Sequence, residues 1–324
     1  MRWSEVFPFR RGRHSLNGKI VLITGGSRGL GLELARCFAQ EHARVVLLAR
    51  DLDELTRAAE GLQQSGTEVS TVRCDVTDRT DVECAIDAIF QKYGAVDVLV
   101  NNAGAIQVGP LSEMTREDFE AAMDVHFRGP FNLISAVVPL MRQQGGGRIT
   151  NIVSIGGKIA VPHMAPYSAS KFALAGLSDA IRNELGQHHI YVTTVFPGLM
   201  RTGSIYQARF KGQQRAEFSW FSVCGSMPIL SMHSTRAARK IVRACRRGSP
   251  QLIVGVPAKA AVLLHALFPG LSAYISATVA RRLPSSSATA DTSSRAGQEF
   301  RATAQPLFFI QFSDKAALRN NELS

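Results

Sequence analysis

Lys19-Ile-Val-Leu-Ile-Thr24 runs straight into Gly25-Gly26-Ser27-Arg28-Gly29-Leu30-Gly31. The first six residues form a short apolar, β-branched run that ends in glycines and reads as a buried strand. Beyond the glycines, Leu30, Leu34, Ala35 and Phe38 recur at helical spacing through to His42. Glycine at 25, 29 and 31 lets the backbone turn tightly and approach an anion with no Cβ in the way. The helix N-terminus behind the loop offers unpaired N–H groups and the positive end of a dipole. Strand, glycine loop and helix together make a cradle for phosphate.

Outward from that unit the alternation repeats. Further strands are read at Arg44–Ala49, through Val69 and Val72 to Cys74, and at Val96–Val100, Arg148–Ser154, Tyr191–Phe196 and Leu252–Val256. Helical patterns lie between them, at Asp51–Gln64, Thr80–Tyr93, a long stretch from about Arg116 to Gln143, Ala165–His188 and Thr235–Arg247. Continuous apolar strands alternating with helices predict an α/β fold with a doubly wound parallel sheet, as a single domain over 17–283. Residues 1–16 read as a basic arm. Ser285-Ser286-Ser287 and Thr292-Ser293-Ser294 mark 284–324 as a low-complexity tail, expected to be flexible, although Phe308-Phe309-Ile310 and Phe312 could dock.

The 324 residues are 45% hydrophobic and 19% charged, an ordinary globular composition. Five scattered cysteines with no C-x-x-C pair exclude a disulfide scaffold or a zinc module, and no metal site is expected. Phe7-Pro8-Phe9 runs into Arg10, Arg11 and Arg13 rather than a secretory core, so a cytoplasmic setting is expected. The net charge of +11 is concentrated between Leu199 and Pro284, where thirteen Lys/Arg face one acid, Glu217. Such a face suits a phosphorylated cofactor, an acidic carrier or a lipid surface, and equally a solvated helix. No nucleic-acid motif accompanies it, and nucleic acid is not expected as a partner. From Ala260 to Ala280 no residue is charged, and Pro269-Gly270 divides the stretch into two short helices. Bordered by Lys259 and Arg281-Arg282, that pair suits peripheral membrane contact over 258–283; it also suits a pocket wall or an oligomer contact.

Tyr167 and Lys171 stand four apart on a predicted helix and share one face. Phenol ionises near 10, and a neighbouring ammonium would lower that value. Ser154 closes a parallel strand, where its hydroxyl can meet a substrate carbonyl. The second strand ends Leu48-Ala49-Arg50, with no acid to bind a ribose 2′-hydroxyl, although Asp51 stands next door.

Taken in order, Thr24-Gly25-x-x-x-Gly29-x-Gly31, Asn101-Asn102-Ala103-Gly104, Ser154, Tyr167-x-x-x-Lys171 and Pro197-Gly198 closely resemble the short-chain dehydrogenase/reductase family, of Rossmann type, over about Asn17 to Pro257. The resemblance implies a hydride-transferring oxidoreductase acting on a ketone or aldehyde, or on the alcohol in reverse. It places Thr24, Gly25, Ser27, Arg28, Gly29, Leu30 and Gly31 around the cofactor phosphates. Arg28 and Arg50 match the basic positions of members preferring NADP(H) over NAD(H), and Asp75 and Val76 fall at the adenine. Asn102, Ala103 and Gly104 would pass beneath the cofactor, Lys171 and Tyr167 would meet the nicotinamide ribose, and Pro197, Gly198, Met200 and Thr202 would cap the nicotinamide. Tyr167 would transfer the proton.

His126 departs from the pattern: it stands where the family has an asparagine that helps a proton-relaying water. Imidazole can donate and accept, so it joins the candidate catalytic residues, or else it is simply packed in its helix. If it blocks turnover, the chain would instead be a cofactor-binding regulatory or scaffold protein. The lid expected over 199–233 carries Tyr206, Phe210, Phe218, Trp220 and Phe221, which suit an apolar substrate or packing against the body. A homo-oligomer is expected from the resemblance.

Overall fold

A computed structural model describes residues 15–64, 66–227, 231–286, 293–300 and 310–322. Seven strands form one parallel sheet: β1 (Ile20–Thr24), β2 (Arg44–Ala49), β3 (Val69–Arg73), β4 (Val98–Asn101), β5 (Gly147–Ile152), β6 (Ile190–Pro197) and β7 (Gln251–Val254). Their spatial order is β7-β6-β5-β4-β1-β2-β3. All pairings are parallel, with Ile20 opposite Arg44 on one side of β1 and Val21 opposite Val98 on the other. Every residue of β1 is buried, as an apolar strand covered on both faces must be.

On one face lie α1 (Gly29–Ala39), α2 (Leu52–Gln63) and, later in the chain, a basic helix, Ser234–Arg247. Phe38, Leu55, Leu62 and Ile241 pack there against Val21, Ile23, Val45 and Leu47. The opposite face holds α3 (Arg79–Tyr93) and two later helices, Gly129–Gln143 and Ala165–Gly186. They bury Val82, Ile86, Leu133, Val137 and Leu185 against Leu22, Val46, Leu99 and Val192. Each such side chain contributes roughly 1.5–3 kcal/mol by leaving water. This is the doubly wound parallel sheet anticipated above. Asp51 and Asp78 cap α2 and α3 by accepting from Glu54 and from Thr80 and Asp81 backbone N–H groups.

The expected single helix over 116–143 is divided. It consists of α4 (Arg116–Met123), one π-helical turn (Asp124–Arg128) and α5 (Gly129–Gln143). The turn accommodates an extra residue without ending the helix, and it carries His126 inward. Then come α6 (Ala165–Gly186), α7 (Gln214–Ser226) and α8 (Ser234–Arg247). A break at the Phe268–Pro269 junction separates α9 (Val256–Leu267) from α10 (Pro269–Ala280), as the Pro269-Gly270 pair predicts. Among the described residues no helix is long and apolar enough to cross a membrane.

Tyr206, Phe210 and Phe218 are fully buried with Val108, Ile205 and Phe300, so packing against the body accounts for these lid aromatics. Two pieces of 284–324 are described. Arg295–Ala296 pairs with Arg209–Phe210, and α11 (Ile310–Arg319) leads to a buried end at Asn320 and Glu322. Phe308 and Phe309, and residues 1–14 of the basic arm read over 1–16, fall outside the described residues.

Candidate active site

β1 and β4 are neighbours in the sheet although their connections run to opposite faces, which opens a crevice at their C-terminal ends. The Thr24 hydroxyl accepts from the Asn102 and Ala103 N–H groups at 2.9 and 3.0 Å. Asn102 returns the contact, its side-chain amide donating to the Thr24 and Gly25 carbonyls at 2.9 and 3.2 Å. Gly29 opens α1 with φ +59°, a conformation that favours glycine, and a Cβ on Gly31 would collide with the Gly25 carbonyl. No side chain caps α1, since Arg28 precedes it extended and uncommitted to the helix end. A helix N-terminus without a side-chain cap, behind glycines at 25 and 31 whose Cβ positions are taken by backbone, fits a pyrophosphate.

Of the two candidate arginines, Arg28 is committed elsewhere: its guanidinium lies 2.5 Å from Glu54, which also accepts from the Ser27 hydroxyl at 2.9 Å. Arg50 remains open, with its side chain 76% exposed and 3.9 Å from Asp75. Burial would raise the Asp75 carboxyl, but bonds from Thr77 and the Arg50 charge bring it below its usual range. Val76 is buried against Gly129.

Ser154 follows β5, and Tyr167 and Lys171 occupy the first two turns of α6, turned to the same side. The Ser154 hydroxyl accepts from the Gly156 N–H at 3.0 Å and faces the Tyr167 ring across Gly156, near enough to favour the phenolate. Lys171 Nζ lies 5.7 Å from the phenol ring centroid, donates to the Ile152 carbonyl at 3.0 Å, and is 4% exposed. Its ammonium does not lower the phenol as the sequence reading expects. Burial raises Tyr167 above its ordinary value, against the pull of Ser154, and burial brings Lys171 itself down to about 7. Desolvation sets the direction for both groups, and no charge effect of the amine on the phenol offsets it.

His126 is buried with both nitrogens engaged. Nε2 accepts from the Ala105 N–H at 3.1 Å, which leaves the proton on Nδ1 to donate to Ser170 Oγ at 2.8 Å. Ser170 in turn donates to the Tyr167 carbonyl at 2.9 Å. Burial, with the Lys171 charge adding to it, holds the ring well below its ordinary pKa, and it meets Tyr167 edge-on at 5.3 Å. The geometry gives His126 the contacts of a clamp joining the π-turn, the loop at 105 and α6. A Cβ on Gly104 would approach His126 Nε2 to 3.0 Å.

The Gly198 N–H donates to Val254 O, anchoring the loop after β6, while Met200-Arg201 pairs in parallel with Met232-His233. Thr202 is buried and bonded to the Ser204 hydroxyl at 2.8 Å. Two groups here escape the sequence reading. His163 Nδ1 meets the buried Glu217 carboxylate at 2.7 Å, and Trp220 donates to the same carboxylate at 2.6 Å, fastening α7 to the approach of α6. The second is the segment that follows α11, Asn320 to Glu322, which lies against the glycine loop. A lone glutamate after a low-complexity stretch offers no motif by which to find it.

A family model described as short chain dehydrogenase matches residues 19–211. The putative oxidoreductase SadH of Mycobacterium tuberculosis is 33% identical over 275 residues, covering 83% of this chain and 98% of that protein. Actinorhodin polyketide ketoreductase, solved with NADPH, superposes with a TM-score of 0.66 at 30% identity, over 73% of this chain and 95% of that one. A short-chain dehydrogenase/reductase of Burkholderia phymatum, solved with NAD, gives 0.74 at 25% identity, over 80% and 96%. This chain therefore belongs to the short-chain dehydrogenase/reductase family of oxidoreductases.

Proposed function

We propose that this protein is an NADP(H)-dependent reductase that converts a ketone or aldehyde to an alcohol, or runs the reverse, with Tyr167 as general acid and base. The convergence of Ser154, Tyr167 and Lys171 beside the glycine cradle carries this reading. The reduced dinucleotide, when bound, supplies hydride for the carbonyl carbon. Ser154 donates a hydrogen bond to the carbonyl oxygen, polarising it. Tyr167, kept protonated by burial, passes its phenolic proton to that oxygen and is reprotonated from solvent. Lys171 retains two donor positions beyond its Ile152 bond for holding ribose hydroxyls. His126 positions α6 rather than moving a proton.

Tyr167, Ile106 and Val161 pack against one apolar cluster that includes Met164, which supports an apolar substrate. Arg50, exposed at the end of β2 where an acid would repel a 2′-phosphate, supports NADP(H) over NAD(H). Tyr167→Phe should reduce turnover at least about 100-fold while NADPH still binds. Arg50→Ala should weaken NADPH roughly tenfold and leave NADH unchanged. Wild-type protein that binds NADPH yet turns over no carbonyl in a broad panel would instead be a regulatory or scaffold member.

A separate observation favours contact with a lipid surface. Leu263, Leu267, Phe268, Leu271 and Tyr274 on α9 and α10 are all more than half exposed. Lys259, Arg281 and Arg282 border them, with no acid between. An apolar hairpin rimmed by cations matches an anionic membrane surface. The protein should float with phosphatidylserine vesicles and not with phosphatidylcholine, and Leu267→Glu should abolish flotation. A homo-oligomer that Leu267→Glu dissociates would assign the hairpin to a second copy of the chain.

A further inference from the structure

The crevice is not left to a cofactor alone. Gly29 donates its N–H, the first of α1, to the Asn320 carbonyl at 2.9 Å. The Asn321 amide donates to the Ser27 and Glu54 carbonyls at 3.0 and 3.1 Å. One oxygen of Glu322 lies 3.0 Å from where a Cβ on Gly29 would stand; the other accepts from the Gly203 N–H at 2.5 Å. Gln207 holds the Glu322 carbonyl at 3.2 Å, and Arg36 holds the Asn320 side chain at 2.8 Å. Three consecutive residues thus bridge the glycine loop and the 197–203 loop, the two walls of the crevice.

The contact uses the chemistry by which a helix N-terminus binds an anion. The Asn320 carbonyl oxygen takes the first N–H that α1 presents to a phosphoryl oxygen, and the Glu322 carboxylate takes the Gly203 N–H on the facing loop. Glu322 is 6% exposed and has no lysine or arginine paired with it among the described residues, although Arg28 is near enough to favour its charge. Burial raises its carboxyl to about 7. A carboxylate so poorly compensated is held less firmly than a doubly charged pyrophosphate would be in the same place.

We propose that Asn320-Asn321-Glu322 is a built-in strap that occupies the pyrophosphate cradle and must be displaced by the dinucleotide before it can bind. The proposal rests on the cofactor reading above. Opening the strap frees the Gly29 N–H and uncovers the loop at 203, so the apparent affinity for cofactor is the intrinsic affinity reduced by the fraction of molecules in which the strap is open.

Hydrogen exchange on the wild-type protein tests this directly. Saturating NADPH should speed exchange over 310–322 several-fold while protecting 25–32; unchanged or slower exchange over 310–322 overturns the strap. In fluorescence titration, Asn321→Ala/Glu322→Ala should bind NADPH about tenfold tighter than wild type, and equal or weaker binding overturns the proposal. Glu322→Gln keeps the side chain's size, and a smaller tightening in that variant supports the role of the carboxylate. If NADPH and NADH bind neither wild type nor variants at millimolar concentration, the cofactor reading itself falls and takes the strap with it; wild-type binding that tail substitutions do not improve defeats the strap alone.

Discussion

Lys171 is an amine placed where water cannot reach it, and its proton is correspondingly loose. The unfolded chain keeps that proton up to the ordinary value of 10.5, whereas the folded chain releases it near 7. Between those values the unfolded state carries more protons, so stability rises with pH. Wild type should gain roughly 1–2 kcal/mol relative to Lys171→Met between pH 7 and 8.5, read from urea midpoints at both pH values. A constant difference between the two proteins would show that the amine is solvated. Ser154, Tyr167 and Lys171 were legible in the sequence because Tyr167 and Lys171 share one helical face and, with Ser154, stand in the order of the family's motifs. The bonds of His126 were not, since its partners Ala105 and Ser170 lie 21 and 44 residues away. Arg28 shows the same limit: a basic residue in a phosphate loop invites a phosphate, and only the fold reveals that Glu54 has claimed it.

Glycine loop, strand and helix form the element that announces the fold, and their tolerance is sharply local. A Cβ on Gly31 meets the Gly25 carbonyl, a backbone atom that cannot rotate aside. Gly31→Ala should therefore cost about 1–3 kcal/mol and weaken NADPH binding. Gly61, exposed near the end of α2 with nothing within 4 Å of its Cβ position, is the control: Gly61→Ala should raise stability by about 0.5 kcal/mol. Urea midpoints of the two variants check both signs, and a neutral Gly31→Ala would remove the steric account of the loop. The buried strands were readable because a parallel sheet covered on both faces needs unbroken apolar runs. The π-turn at 124–128 was not readable, because one additional residue in a helical turn leaves the apolar pattern of 116–143 nearly intact.

The order β7-β6-β5-β4-β1-β2-β3 brings the glycine loop after β1, Asn102 after β4 and Ser154 after β5 to one end of the sheet, and residues 320–322 return to that end. The alternation of strands and helices already implied the first half of that statement. The second rests on one main-chain carbonyl and a carboxylate, and neither leaves a pattern in composition. If these residues strap the cradle as proposed, folding stability and cofactor binding share the same atoms. A ligand that binds only the folded protein adds RT ln(1 + [L]/Kd), about 2.7 kcal/mol at a hundredfold excess over Kd. Without ligand, Asn321→Ala/Glu322→Ala should be roughly 1–2 kcal/mol less stable than wild type, having lost the bonds to Ser27, Glu54 and Gly203. As NADPH fills the cradle those bonds are already broken in wild type, so the two melting temperatures should converge with rising NADPH and meet at saturation. An offset that persists unchanged at every NADPH concentration would mean that these residues and the dinucleotide do not compete for the cradle.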